Sequence, residues 1–244
     1  MNNQGIEPVH ELKRLVFDGI STDIFLAHEA HDIFRAIGER TPNAAASTFQ
    51  PMLVALQSYA SAEFVLAVTR LLERQREKYE LHSVHGVLMF LNDNASLIQV
   101  QEPQWVQQSM KRLDLWESLP HVPGPEQTHA VVTALLSKLP HHKDSEPLKA
   151  LKDLRDKRIA HPERERSEGI ATTTWEQALK LLEIPLEALS VCGAYISTAY
   201  VDGSGQYIMQ TDAARAGNAT RRLLEAAQTP RGLEEREPPA RGSQ

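Results

Sequence analysis

The chain has 244 residues, a formal net charge of −6 and a hydrophobic fraction of 41%. This length and composition are typical of a globular protein and exclude a fibrous or wholly disordered chain. The acidic balance argues against a broad basic surface that coats nucleic acid by neutralising phosphates. Any RNA contact should therefore be confined to a small site, and no DNA partner is expected.

The cysteine content and the N-terminus both favour a reducing compartment. Cys192 is the only cysteine, so it cannot form an intrachain disulfide, and its apolar surroundings predict a buried thiol. The sequence begins Met1-Asn-Asn-Gln-Gly5, without a basic segment and an apolar run, and no stretch is expected to span a bilayer. We therefore expect a cytoplasmic protein that makes no membrane contact.

The first third of the chain contains two long predicted helices. Helical spacing of apolar residues extends over residues 8–40, with an interruption expected near Gly19. A hydroxyl residue at positions 47–48 can cap the second helix, which places Pro51 in its first turn and extends to about Tyr79. One face of this second helix is apolar and is expected to be buried. That face comprises Met52, Leu56, Tyr59, Phe64, Val68, Leu71 and Leu72.

Shorter helices are predicted in the middle of the chain. A helix through Phe90 and another beginning near Pro103 are separated by residues 92–94, whose Asn-Asp-Asn sequence favours a break. An amphipathic helix follows over residues 126–139, between two proline-containing turns.

The C-terminal third begins at Thr174-Trp-Glu-Gln177, which matches a capping box. The long apolar helix that it starts is expected to bend at Pro185 and to reach about Tyr200. A last helix is predicted over residues 212–227. The tail over residues 229–244 is rich in proline, glycine and charge and is expected to be disordered.

The predicted fold class is all-α, because no sustained strand alternation, internal repeat or glycine-rich nucleotide motif is present. We expect a single domain, an antiparallel helical bundle over residues 1–228. The sequence also lacks a Gly-x-Ser-x-Gly elbow, a P-loop and a cysteine–histidine zinc spacing. Interpretations as a hydrolase with that elbow, an NTPase or a zinc finger are therefore without support.

Two segments, Glu7-Pro-Val-His10 and Glu126-Gln-Thr-His129, have the Glu-x-x-His spacing of di-iron bundles. Both begin at predicted helix ends, whereas a di-metal site needs ligands in the middle of a bundle and further carboxylates opposite them. His28 and His31 lie one turn apart, and we expect such histidines to be solvated or to cap helices. Neither a metal nor another cofactor is predicted.

The most informative stretch is a helix that Asp144 or Ser145 is expected to cap. Three leucines at helical spacing form its apolar face: Leu148, Leu151 and Leu154. One turn further along the same face, Arg155 and Arg158 replace the expected apolar residues. A guanidinium is not deprotonated in proteins and is costly to bury unpaired, so this face requires carboxylates, an open cleft or a bound anion.

His161 follows these arginines and precedes Pro162, which disfavours helical geometry at the histidine and predicts the end of the helix there. Helical spacing puts Arg155 and His161 about 120° apart, but the terminating turn and the long arginine side chain can bring both groups to one cleft. A structural alternative stays open. In it the arginines pair with acidic residues and His161 caps terminal carbonyls.

The segment Leu151-Lys-Asp-Leu-Arg-Asp-Lys-Arg-Ile-Ala-His161 resembles the motif of the HEPN superfamily, which is an arginine, a polar residue and then a histidine. Here five residues separate Arg155 from His161. Leu-Arg-Asp-Lys followed by Ala-His is similar to the abortive-infection, AbiU-like branch. The resemblance extends over residues 8–200 as a helix pattern, and its specific part covers about ten residues.

The resemblance implies a dimeric bundle of four or five core helices, with the motif at the dimer cleft and metal-independent RNA cleavage. Strand scission by the ribose 2′-hydroxyl needs a base, an acid and a cation beside the phosphorane. His161 from each subunit would supply the acid and the base, and Arg155 would clamp the phosphate. Asp156 would orient Arg155 or the helix end and not touch the substrate, and Arg158 is a secondary candidate for the phosphate clamp. Glu163 stands where some family members carry a modifiable tyrosine, which puts that regulation in doubt.

The expected function is therefore that of a ribonuclease toxin or phage-defence effector acting through abortive infection. Its expected partners are single-stranded RNA or tRNA, a second copy of the chain and an antitoxin protein. The alternative is a non-catalytic helical module that binds a nucleotide, RNA or a protein partner. In that case Arg155 pairs structurally and His161 caps a helix.

Overall fold

The computed structural model describes residues 7–40, 46–74, 82–141, 143–160 and 173–228. Within these ranges the protein is all-helical, as predicted. The β-type pairing among them is one isolated antiparallel bridge between Val201 and Tyr207.

The helices of the described ranges are numbered in chain order. They are α1 (Pro8–Leu15), α2 (Thr22–Arg40), α3 (Ala46–Leu71), α4 (Val84–Asp93), α5 (Pro103–Arg112), α6 (Pro125–Lys138), α7 (Glu146–Leu154), α8 (Trp175–Lys180), α9 (Glu183–Ile196) and α10 (Ile208–Gln228). A π-helical turn continues α1 (Val16–Ser21), another continues α7 (Arg155–Ala160), and a 3-10 turn follows α5 (Trp116–Ser118).

The predicted interruption near Gly19 is confirmed by the π-helical turn between α1 and α2. A Cβ atom at Gly19 would lie 2.7 Å from the Cβ atom of His82, so only glycine lets the segment before α4 approach this turn. The wide turn frees the carbonyl of Phe17, which accepts hydrogen bonds from the hydroxyls of Ser21 and Thr22 at 3.0 and 2.8 Å.

Three predictions for α3 are wrong. The helix begins at Ala46, so residues 47–48 are helical and do not cap it, and Pro51 lies beyond its first turn. Pro51 is exposed, so water can satisfy the carbonyl that lacks its N–H donor. The helix ends at Leu71 and not near Tyr79, because the charged run that follows has no apolar face to bury. Residues 75–81 lie outside the described part.

The predicted buried face of α3 is correct only in its second half. Phe64, Val68 and Leu71 are fully buried, whereas Met52 and Tyr59 are exposed, as is Leu56. The first half of the helix instead buries Leu53 and Ala60. The error arises because this half carries apolar residues on two faces, and periodicity alone does not tell which one meets the core.

The capping box at Thr174 and Gln177 is confirmed, but the long bent helix after it is two helices. A turn at residues 181–182 interrupts the regular helix, although both residues keep right-handed helical dihedrals, and Pro185 lies in the first turn of α9. Proline cannot donate a hydrogen bond to the carbonyl four residues earlier, and its ring crowds that carbonyl. The predicted end near Tyr200 is also wrong, since α9 ends at Ile196 with the next residue in the left-handed region.

The core is built around α9, which is buried along most of its length and packs against α1, α4, α5 and α6. Cys192 lies on this helix and is fully buried, as predicted. Burial raises the pKa of its thiol to about 12, so the residue behaves as an inert apolar group. On another side of the fold, α2 packs against both α3 and α10.

One helix in the described part is long and apolar enough to cross a bilayer by length and composition. It is the segment Phe49–Leu71, 23 residues long, in which an 18-residue window has a mean hydropathy of 1.4. The expectation that no stretch is long and apolar enough to span a bilayer is therefore wrong. A helix that packs on a protein core can pass the same test, and 39% of that window is buried in the fold.

Candidate functional site

The helix that leads to the candidate site begins as predicted. The hydroxyl of Ser145, one of the two proposed caps, accepts a hydrogen bond from the backbone N–H of Leu148, and Pro147 lies in the first turn. Leu148 and Leu151 are buried on the inward face. The sequence thus orients α7 through local capping and the burial of its leucines.

Regular α-helix ends at Leu154, earlier than the predicted end at His161, and the backbone of Arg155–Ala160 forms a π-helical turn. A π-helical turn is wider than an α-turn, and such turns are frequent at functional sites. The α-helical projection that put both arginines on the inward face therefore does not extend to Arg158. The side chain of Arg158 and the whole of His161 lie outside the described residues, so their convergence with Arg155 stays a prediction.

Arg155 contacts two carboxylates, that of its neighbour Asp156 and that of Glu73 just beyond the end of α3. Its Nε donates a hydrogen bond to Oδ1 of Asp156 at 2.7 Å, and its Nη1 lies 3.8 Å from Oε2 of Glu73. The side chain of Arg155 is 23% exposed and that of Glu73 is 29% exposed. The partly inward guanidinium thus has the carboxylate partners that the sequence pattern required, and part of it still reaches solvent.

Glu73 is the member of this cluster that the sequence did not reveal. It lies more than eighty residues before Arg155, in a mixed-charge run that is typical of a solvated helix end. No helical periodicity pairs residues that far apart. By contrast, the contact between Arg155 and Asp156 was expected from their adjacency in the motif, although the functional role of that contact stays a prediction.

A shallow groove of about 150 Å³ begins at Leu154, the residue before Arg155. Its walls are mainly apolar and aromatic and come from α2, α3, α7 and α8. The ring centroid of Trp175 lies 4.6 Å from that of Phe34 and 4.8 Å from that of Phe64. Thr173 contributes a polar edge. An apolar groove with a few polar groups is a surface suited to a planar group.

A second cluster of charged residues joins α5, α9 and the start of α10. Buried Glu187 accepts hydrogen bonds from Nε and Nη2 of Arg112 at 2.6 and 2.8 Å, and from the hydroxyl of Tyr207. Burial and the Glu187 carboxylate raise the pKa of Tyr207. The hydrogen bond to Glu187 likewise raises the pKa of Arg112. The three side chains provide one another's hydrogen-bond partners, which indicates a structural role in joining distant helices.

The histidines of α2 differ from the expectation that they would be solvated or cap helices. His28 is mostly buried, and burial lowers its pKa to about 4. His31 is half-buried, its ring centroid is 5.4 Å from that of Trp175, and burial also lowers its pKa. Over the ranges that the structure describes, no group of three His, Cys, Asp or Glu side chains is arranged to hold a metal ion.

The chain matches no protein-family model, no curated protein and no solved structure. The likeness to the HEPN superfamily therefore rests on the motif around Arg155 and on the helical pattern.

Proposed function

We propose that this protein is a HEPN-type, metal-independent endoribonuclease that acts as a toxin or phage-defence effector. The observation that supports this most is the position of Arg155. Its guanidinium is partly exposed on a π-helical turn and contacts Asp156 and Glu73, six residues before the motif histidine, His161. A fixed cation beside a histidine is what phosphodiester cleavage by the ribose 2′-hydroxyl requires.

In this mechanism Arg155 binds the scissile phosphate through its guanidinium and stabilises the charge that develops on the phosphorane. Asp156 positions Arg155 through its hydrogen bond to Nε. Arg158 is a second cation for the phosphate. The groove that begins at Leu154 offers an apolar surface for a base next to that phosphate.

His161 is the proposed acid–base residue. One histidine does not easily remove the proton of the 2′-hydroxyl and protonate the leaving oxygen in the same step. A homodimer with one His161 from each subunit at a shared cleft would provide both groups. The substrate is single-stranded RNA or tRNA, and an antitoxin protein is the proposed inhibitor in the cytoplasm.

The test is the rate of cleavage of single-stranded RNA and tRNA by the purified protein in a chelator. We expect His161→Ala to lower the rate by about 100-fold or more, because a positioned acid–base group contributes about that much. Arg155→Ala should also lower the rate. Arg221→Ala is a matched control, since Arg221 is likewise a partly buried arginine paired with a glutamate, Glu39, at 3.0 Å. Equal rates for His161→Ala and wild type would refute the catalytic role.

A non-catalytic module that binds a nucleotide, RNA or a protein is the second candidate. The observation that favours it is the pairing of Arg155 with two carboxylates, Glu73 and Asp156. These partners satisfy much of the guanidinium without any substrate. In this case the wild-type protein would bind RNA without cleaving it, and Arg155→Ala would lower the stability of the fold without changing any reaction rate.

A further inference from the structure

The first half of α3 presents a stripe of large apolar side chains to solvent. Phe49 is 50% exposed, Met52 51%, Leu56 43% and Tyr59 72%. Their spacing of three, four and three residues places them within an arc of about 80° on the helix surface. The side of the helix next to this arc packs into the core through Leu53 and Ala60. We call these four exposed residues the α3 stripe.

The sequence around the α3 stripe contains no charge. Residues 41–62 lack Asp, Glu, Lys and Arg, although 24% of the whole chain is charged. A helix face that only meets water normally carries charged residues. The cores of protein interfaces are instead depleted of charge and enriched in Phe, Tyr and Met. Both the exposure and the composition of this stripe therefore indicate a surface that is covered in solution.

We propose that the α3 stripe is a self-association surface, and that its partner is the same stripe of a second copy, packed antiparallel about a twofold axis. An isologous contact requires a surface that is complementary to itself. The three-four-three spacing is symmetric about residue 54. It therefore matches Phe49 with Tyr59 of the partner subunit and Met52 with Leu56 of the partner subunit.

Charges at the end of the stripe favour the antiparallel direction. On the α-helix, Glu63 and Arg70 continue the line of the α3 stripe towards the C-terminus. Arg70 pairs with Glu63 at 3.2 Å and with Asp23 at 2.7 Å. A parallel pair would place each of these charges opposite its own copy, which is unfavourable. An antiparallel pair centred on residue 54 keeps them outside the contact.

The area of the stripe fits a reversible dimer. Four half-exposed large side chains offer roughly 400 Å² per subunit, compared with about 800 Å² per partner in a standard stable interface. Ala55 and Ala62 border the stripe, and their small side chains let a second helix approach closely. We therefore expect dissociation in the micromolar range and not an obligate dimer.

This inference does not rest on the proposed ribonuclease activity. With a rise of 1.5 Å per residue, the end of α3 at Leu71 lies about 25 Å from the proposed axis. Arg155 contacts Glu73, just beyond that end, so the two Arg155 sites would be on the order of 50 Å apart. The stripe dimer is thus distinct from the dimer that would share two histidines. Loss of the stripe dimer should leave RNA cleavage unchanged at concentrations where the shared-histidine dimer persists.

Sedimentation velocity of the full chain over the micromolar range tests the proposal. The wild type should double its mass with rising concentration, from monomer to dimer or, where the shared-histidine dimer has formed, from dimer to tetramer. Leu56→Glu should weaken this step at least about tenfold, or about 1.4 kcal/mol. Leu223→Glu is the matched control, because Leu223 is a 67% exposed leucine on another helix, α10. It should dimerise like the wild type. Circular dichroism should show the same helix content in all three proteins, and Tyr59→Lys provides a second disruptive variant.

Disulfide cross-linking tests the direction. In an equimolar mixture of Phe49→Cys and Tyr59→Cys, oxidation should yield the heterodimer, because the two positions face each other in the antiparallel pair. The native Cys192 is buried and does not compete. Homodimeric cross-links of either variant would contradict the antiparallel register. A wild type that does not self-associate would overturn the proposal. Flotation of the wild type with phosphatidylcholine vesicles through the α3 stripe would also overturn it and would indicate a lipid surface as the partner.

Discussion

His28 is an uncharged histidine in the fold because α2 and its neighbours bury it. Desolvation lowers its pKa to about 4, against the attraction of nearby Asp32, which acts in the opposite direction. In the unfolded chain an ordinary histidine titrates near pH 6.5. Between these values the unfolded chain binds a proton that the folded chain does not. The stability that this burial provides is complete above about pH 6.5 and falls as the pH is lowered towards 4.

We predict that wild-type protein loses about 2 kcal/mol of unfolding free energy between pH 7 and pH 5 through His28 alone. Urea denaturation at several pH values measures the slope of the unfolding free energy against pH. His28→Gln should flatten this slope, although the variant is less stable at pH 7 because glutamine fills the site imperfectly. His10→Gln changes an exposed histidine and should keep the wild-type slope. Equal slopes for wild type and His28→Gln would contradict the conclusion that burial of His28 causes the pH dependence.

Glu73 limits how freely Arg155 can bind a phosphate. The two groups are 3.8 Å apart and both are partly exposed, so their ion pair contributes at most about 1 kcal/mol to stability. If Arg155 binds RNA, Glu73→Gln should lower the KM for RNA several-fold, because a negative charge next to the phosphate is removed. The unfolding free energy of the Glu73→Gln variant should change little. A clear loss of stability with no change in RNA binding would instead support a purely structural role for Arg155.

At the scale of elements, local signals predicted helix starts better than helix ends. The caps at Ser145 and Thr174 were located correctly because a cap depends on residues only a few positions apart. The end of α3 was missed, as was the break before Pro185, because both depend on what the rest of the chain buries. The π-helical turn at Arg155–Ala160 was missed for the same reason.

The capping box of α8 allows a direct check of the local account. The Thr174 hydroxyl accepts a hydrogen bond from the backbone N–H of Gln177 at 3.2 Å, and Oε1 of Gln177 accepts one from the backbone N–H of Thr174 at 3.1 Å. Thr174→Ala should lower the unfolding free energy by about 1 kcal/mol in urea denaturation. Thr133→Ala is the control, since Thr133 is exposed inside α6, where alanine is the better helix former. A loss as large for Thr133→Ala would argue against a specific capping effect.

At the scale of the whole molecule, composition and periodicity predicted the all-α class and much of the core. They could not predict contacts between distant residues, such as Glu187 with Arg112 and Tyr207, or Glu73 with Arg155. These pairs follow from the packing of α3, α5, α7 and α9, which no local pattern encodes. The exposed α3 stripe is a related case, because its apolar pattern is the same whether the core or a partner covers it.

The candidate site and the α3 stripe lie towards opposite ends of α3. This separation predicts that the two proposed activities can be lost independently. Leu56→Glu should disrupt the stripe dimer and keep RNA cleavage, whereas His161→Ala should abolish cleavage and keep the stripe dimer. Sedimentation and cleavage assays on the same preparations measure both. Joint loss of both activities in Leu56→Glu would mean that the stripe dimer and the catalytic dimer are one assembly.

The most direct test of the central claim is the chemistry of the RNA ends produced in the presence of EDTA. Mass spectrometry of an RNA treated with wild-type protein should reveal a 2′,3′-cyclic phosphate and a 5′-hydroxyl, because the ribose 2′-hydroxyl is the attacking group and no metal is needed. His161→Ala should produce neither end. Intact RNA with the wild type, cleavage that EDTA abolishes, or products with 5′-phosphate ends would contradict the proposed reaction at Arg155 and His161.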